Sequence, residues 1–414
     1  MTTPEKINNS LRKTNRILLA PLDWGLGHAT RCIPIIKELL NQKCEVWIAA
    51  SGAQRTLLEE EFPSLPFVEI PGYNIKYGKN RAFTLLKIVG AIPKILIRIK
   101  REKSWLRQFL TTQEFDAVIS DNRYGLHAPG IFSVFITHQL HIRTPFGRMT
   151  DALLQRLNYR AIQRFSLCWI PDQEGAGSLA GGLSHPNRLP VIPLRYIGIL
   201  SRFERSPAGQ VLSSPSGLLS GQATAPPSMY AAPCDLLILL SGPEPQRTIF
   251  EKKILDQLPS YPGNTILVRG LPGSAASLLS PATTAISASL RVYNHLPAGE
   301  LNTVLNGAEI VLARTGYSTV MDLLKLGKKA ILVPTPGQTE QEYLGAWLSE
   351  KKMVVHMEQS AFSLLDAMAI ARDYPFADIR TRESDIRINE PGSRNTLLQK
   401  EIHSFLEVLS NSRD

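Results

Sequence analysis

Short apolar runs recur along the chain, each followed by a stretch whose apolar positions repeat at helical spacing. In the first half they are "RILLAPL" (16–22), "EVWIAAS" (45–51), "FVEI" (67–70), "DAVISD" (116–121), "FSVFITH" (132–138) and "LCWIPD" (167–172). In the second half they are "DLLILLS" (235–241), "TILVRG" (265–270), "LRVYNHL" (290–296), "EIVLART" (309–315), "AILVPTP" (330–336) and "MVVHM" (353–357). Several are apolar at successive positions, which predicts parallel strands covered on both faces. With helices between them they form βαβ units, so each half reads as an open, doubly wound α/β sheet.

The breaks in this rhythm set the domain organisation. Residues 1–15 are polar and predict a flexible start; 16–200 form a first Rossmann-like domain, and 235–375 a second. Between them, 201–234 carries "RSPAGQVLSSPSGLLSGQATAPPSMYAAP" (205–233), whose Ser, Pro, Gly and Ala content and missing periodicity predict a flexible linker or insertion. A second small-residue tract, 273–289, predicts a surface loop. Residues 376–414 close the chain with the amphipathic "NTLLQKEIHSFLEVL", a helical segment placed to pack back on the first domain.

Composition narrows the class. At 43% hydrophobic and 20% charged residues, the 414-residue chain reads as soluble and globular, and its length calls for two cores. Cys32, Cys44, Cys168 and Cys234 form no CxxC pair, which argues against a zinc site or a disulfide framework and fits a reducing cytoplasm. The polar start predicts no signal peptide, and no apolar run is long enough to span a membrane.

The formal net charge is +10, and residues 76–107 hold ten Lys/Arg against one acid, Glu102. Nucleic-acid binders more often spread such charge along a docking face, so no nucleic-acid partner is expected. Here the cations alternate with Leu, Ile, Val, Phe and Trp, as in a helix lying on an anionic membrane surface. The alternative is two core-packed helices, broken at Pro93, with solvated basic faces.

Two glycine loops carry the candidate chemistry. In "LLAPLDWGLGHATR" (18–31) a dinucleotide fingerprint fails, because Thr30 stands at the third glycine and "IAASG" supplies no acid. A P-loop fails for want of the lysine. What remains is a strand, a bend at Gly25 and Gly27, and a helix starting near His28, whose positive end keeps an imidazole neutral and fit to act as a base. A plain turn with a capping His is the competing reading. In "EIVLARTGYSTVMDLLKLGKKAILVPTPGQTEQEYLGAWL" (309–348) a strand ends at Arg314, Gly316 turns the chain, and Ser318 or Thr319 opens a helix suited to a diphosphate. Asp322 is placed to accept ribose hydroxyls, though Thr319-x-x-Asp322 also reads as a capping box. Gln338, Glu340, Gln341 and Glu342 offer partners for sugar hydroxyls.

Together these loops resemble the two-domain GT-B glycosyltransferases, in particular the MurG-like transferases and the monogalactosyldiacylglycerol synthases. "ARTGYSTVMDLLKLGKKAILVPTP" is similar to the family pattern Arg-x-Gly-x-x-Thr-x-x-Glu, Gly-Lys-Pro; "DWGLGHATR" is similar to its Gly-x-Gly-His loop, and "LSGPEPQRT" (240–248) stands where its donor-domain Gly-rich loop does. The resemblance implies two Rossmann-like sheets facing a central cleft, with a UDP-sugar substrate and no cofactor or metal. It implies Asp322 at the ribose, Ser318, Thr319 and Gly242 at the phosphates, the Leu296 backbone at the uracil, and Gln338, Glu340 and Gln341 at the sugar. His28 would be the base and Arg314 a partner of the leaving diphosphate; Gly25, Gly27, Asp121 and His138 would face the acceptor. Departures from the family pattern are Gly345 in place of Asn, Lys329 in place of Pro, and no second glycine in "SGPEPQR".

The expected reaction is inverting, metal-independent transfer of a hexose or N-acetylhexosamine to a lipid-linked or membrane glycolipid acceptor, at the inner face of the cytoplasmic membrane. A UDP-sugar 2-epimerase of similar fold and a non-catalytic membrane-associated module are the rivals.

Overall fold

The computed structural model describes residues 14–73, 81–144, 146–205, 233–271, 289–377 and 396–411, with backbone only for 81–92, 148 and 396. Most of the expected N-terminal tail and linker, and the loop at 273–288, lie outside the described residues.

The first sheet has seven parallel strands in the order β3-β2-β1-β4-β5-β6-β7: β1 (Arg16–Pro21), β2 (Glu45–Ala49), β3 (Phe67–Val68), β4 (Ala117–Asp121), β5 (Phe132–Ile136), β6 (Leu167–Ile170) and β7 (Leu194–Tyr196). The second has six, ordered β10-β9-β8-β11-β12-β13: β8 (Cys234–Leu239), β9 (Thr265–Val268), β10 (Leu290–Tyr293), β11 (Ala308–Ala313), β12 (Lys329–Leu332) and β13 (Val355–His356). Both sheets are doubly wound, as the unbroken apolar runs require. β7 escapes the sequence pattern because it is a three-residue edge strand that follows Pro190 and Pro193.

Alternation along the strands sorts the helices. Ile17, Leu19, Ile119, Val134 and Ile136 share a core with Ile33 and Ile36 of α1 (Leu26–Asn41). Phe405 of the last helix, α10 (Thr396–Asn411), joins that core beside Phe132 and Trp169, so the end of the chain packs back on the first sheet. On the opposite face, Leu18, Ala20 and Val118 bury Leu106 of α3 (Arg81–Phe109), and Phe135 and Ile170 bury Ile162 of α4 (Arg148–Ile162). α2 (Gly52–Glu61) follows β2. The second sheet carries α5 (Gln246–Leu255), α6 (Ala298–Gly307), α7 (Tyr317–Lys325), α8 (Thr339–Glu350) and α9 (Leu364–Asp373).

The basic segment is one helix, not two: α3 runs through Pro93. A proline removes one internal hydrogen bond, a loss that hydration can offset where the ring is exposed, as it is here. The single acid of the segment anchors it. Glu102 is fully buried and accepts from Arg123 Nη1 at 2.7 Å and from the Tyr73 hydroxyl at 2.7 Å, while Arg123 Nε donates to the Pro21 carbonyl. Among the described residues no helix is long and apolar enough to cross a membrane.

Candidate active site

Gly25 precedes α1 with φ of +102°, a backbone that a side chain would strain, and brings His28 into the first helical turn. Parallel pairing sets Asp121 opposite Pro21, at the end of β4 and beside that turn. His28 Nδ1 lies 3.0 Å from Asp121 Oδ2. Arg31, one turn further along α1, donates from both Nε and Nη2 to the same buried carboxylate, and its Nη2 also lies 2.9 Å from His28 Nδ1. His28 Nε2 makes no hydrogen bond among the described residues, and its side chain keeps 17% exposure.

The electrostatics follow from this crowding. Burial and the Arg31 cation lower the His28 pKa, outweighing the pull of Asp121, so the imidazole is neutral at neutral pH. Burial alone would raise Asp121, but Arg31 and His28 hold it down at about 2.

The second domain meets this cluster directly. His138, just beyond β5, lies with Nε2 2.7 Å from Glu340 Oε1 at the start of α8, and its ring stacks on Tyr317 at 4.0 Å. Arg31 Nη1 approaches His138 Nδ1 at 3.2 Å; a guanidinium can only donate, so in the neutral ring Nδ1 accepts and Nε2–H donates to Glu340. Tyr317 donates to the Pro171 carbonyl at 2.8 Å, and Ser318 Oγ donates to the Gly27 carbonyl at 2.7 Å. A Cβ on Gly27 would stand 3.0 Å from that Oγ, so the glycine lets the first turns of α1 and α7 meet. Glu340, Ser318, His28, Asp121, Gly25, Gly27 and His138 are thus brought to one junction between the sheets. Beside it a cavity of about 730 Å³ opens among Gly25, Ser51, Gln54, Glu69 and Trp105.

Other expected site residues lie around the second sheet's loops. α7 starts at Tyr317 with Gly316 as its cap, so Thr319 sits inside the first turn and the capping-box reading is corrected. Asp322 Oδ1 accepts from Ser201 Oγ at 2.5 Å; burial, opposed by Arg202, pushes its carboxyl up to about 6. Arg314 is buried, with Nη1 donating to the Val333 and Pro334 carbonyls and Nη2 to that of Gln246, so it braces three loop segments. Gln341 accepts from the Thr335 amide at 2.8 Å and donates to Gln338. Gly242, with φ of +103°, lies in the loop after β8 near Thr335 Oγ1, a buried hydroxyl without a partner among the described residues. The Leu296 side chain is core, leaving its backbone at the turn between β10 and α6. Sequence reading missed Arg31 and Tyr317, although "HATR" places Arg31 three residues after His28 on one helical face. Among the described residues no cluster of metal-ligating side chains occurs.

Gly345 has a steric reason. A Cβ there would come within 2.3 Å of His356 Nδ1, so a larger residue such as Asn requires the His356 ring to move.

Residues 298–365, from α6 to the start of α9, match the glycosyltransferase family 28 C-terminal domain. An uncharacterized glycosyltransferase of Methanosarcina acetivorans is 24% identical over 349 residues, covering 81% of this chain and 84% of the relative. The UDP-N-acetylglucosamine–N-acetylmuramyl-(pentapeptide) pyrophosphoryl-undecaprenol N-acetylglucosamine transferase of Desulforudis audaxviator is 31% identical over 104 residues, 24% of this chain and 28% of its own. Among solved structures, the glycotransferase of kitacinnamycin superposes with a TM-score of 0.62 at 13% identity, over 96% of this chain and 100% of that one. Acinetobacter baumannii MurG does so at 0.53 and 13%, over 94% and 99%. The two parallel sheets and these superpositions show the GT-B fold, and residues 298–365 supply a glycosyltransferase family 28 C-terminal domain.

Proposed function

We propose that the protein transfers a hexose or N-acetylhexosamine from a UDP-sugar to a lipid-linked or membrane glycolipid acceptor, with inversion and without a metal. The observation that carries this reading is the His28–Asp121 pair set against the first turn of α7 by the Gly27–Ser318 contact.

In this reading Nδ1–H of His28 is donated to Asp121, leaving the Nε2 lone pair for the acceptor. As the acceptor oxygen attacks the anomeric carbon, its proton passes to Nε2; the bond from that carbon to the diphosphate breaks, and UDP leaves with the electron pair. The uncapped starts of α7 and α8, with Ser318, Thr319 and Gly242, stabilise the departing charge. Asp322 takes the ribose, the Leu296 backbone the uracil, and Gln338, Glu340 and Gln341 the sugar, after release of the contacts they make in this structure. Arg314 acts behind the diphosphate site, shaping its loops.

The acceptor reaches the cleft from a membrane surface at the inner face of the cytoplasmic membrane. Leu96 and Ile97 of α3 are 56% and 50% exposed, with Lys94, Lys100 and Arg101 exposed around them, an arrangement suited to anionic lipid. The test is UDP release from UDP-sugars with and without extracted membrane lipid. Release only with lipid supports transfer; isomerisation of the UDP-sugar alone would favour an epimerase, and no UDP binding would exclude both.

A further inference from the structure

The segment from 143 to 164 holds five arginines and one acid, Asp151, whose Oδ1 is taken by the Thr144 amide at 2.7 Å. Within it, α4 buries one face. Asn158 accepts from the Tyr124 hydroxyl at 2.8 Å and donates to the Gln139 carbonyl, and Ile162 fills the core. The other face carries Met149, Leu153 and Leu157, one per turn, at 89%, 58% and 49% exposure, with Phe146 at 58% just before the helix. Such a contiguous apolar stripe on an outer face marks a contact surface. Its flank is cationic: Arg156, Arg160 and Arg164 are exposed.

We propose that this face of α4 is a second lipid-contacting surface, which lies on anionic membrane together with α3 and brings the bilayer to the mouth of the cleft. The inference rests on the membrane-acceptor reading given above and adds to it where the lipid sits. Three observations support it. An apolar stripe edged by arginines fits acyl chains below and anionic headgroups at the rim, the long side chains reaching outward. α3 and α4 cover the same face of the first sheet, and Phe165, just after α4, packs on His127, which Lys103 and Arg107 of α3 also flank. The α4 end of this surface adjoins the site, because Thr339, beside Glu340, donates to the Arg143 carbonyl at 2.9 Å.

The experiment is flotation of the full chain with vesicles of phosphatidylcholine alone or mixed equally with phosphatidylglycerol. Two variants are compared with wild type: Met149→Ser/Leu153→Ser/Leu157→Ser, and Arg156→Gln/Arg160→Gln/Arg164→Gln. Unchanged thermal unfolding and UDP affinity establish that each remains folded. Each variant should bind mixed vesicles at least about tenfold more weakly than wild type. Wild-type binding by both overturns the proposal; if Lys94→Gln/Arg98→Gln/Lys100→Gln/Arg101→Gln alone detaches, α3 suffices and the membrane reading survives. Failure of wild type to bind mixed vesicles overturns both. A wild-type dimer that dissociates on the apolar substitutions, with vesicle binding unchanged, assigns the stripe to a second copy and overturns it too.

Discussion

His28 and Asp121 lie 93 positions apart in the chain, yet their side chains meet at 3.0 Å where β1 and β4 end side by side. In the proposed mechanism the carboxylate selects the Nδ1–H tautomer of the ring, against Arg31, whose Nη2 lies 2.9 Å from the same nitrogen. Asp121→Asn should therefore lower kcat by on the order of a thousandfold, since an amide can favour the wrong tautomer. It should also cost about 3–5 kcal/mol of stability, because Arg31 loses its buried partner. Steady-state rates and denaturant unfolding separate the two effects; near wild-type kcat in a folded variant would remove Asp121 from the mechanism.

Arg31 should control the pH at which His28 works. Burial first, and Arg31 second, hold the folded His28 pKa below its ordinary 6.5. The base is then fully available above 6.5, and activity falls only as pH drops through the depressed value. Stability follows the same sign, since the unfolded chain binds the proton more tightly and gains on the fold as pH falls below 6.5. Arg31→Met should move the acid limb of kcat/KM upward, and Arg31→Lys should move it less. A lower rate with an unmoved limb would assign Arg31 a purely structural role.

Removal of divalent cations should not slow the enzyme. If the starts of α7 and α8 stabilise the diphosphate, dialysis against a chelator leaves kcat unchanged within about twofold. A loss restored by magnesium or manganese would contradict that assignment.

Gly345→Asn, which restores the residue usual in similar chains, should destabilise this one by about 1–3 kcal/mol through overpacking against His356. His356→Ala should recover most of that loss in the double variant. Additive effects in a double-mutant cycle would show that the two do not compete for space.

The parallel sheets were legible because buried strands cannot alternate, and their apolar runs survive as unbroken segments. β7 was not, since three residues after a proline carry no period. At the site, Gly25, Gly27 and His28 stood out by local chemistry, as did Ser318 and Glu340. Asp121 and His138 were legible too, but their pairings were not: the Arg31–Asp121 pair, the His138–Tyr317 stack and the His138–Glu340 bridge depend on strand order and domain contact, which no local window encodes. The helix α4 was hidden for another reason. A net charge concentrated in 76–107 left the rest of the chain nearly neutral in sum, and a second arginine-rich helix disappeared into that sum.

His28→Ala, assayed with a turned-over UDP-sugar and extracted membrane lipid, tests the central claim most directly. Transfer should fall by at least about a hundredfold while UDP affinity stays within about twofold of wild type, because the base acts on the acceptor and not on the nucleotide. Transfer at the wild-type rate in the folded variant would contradict the account.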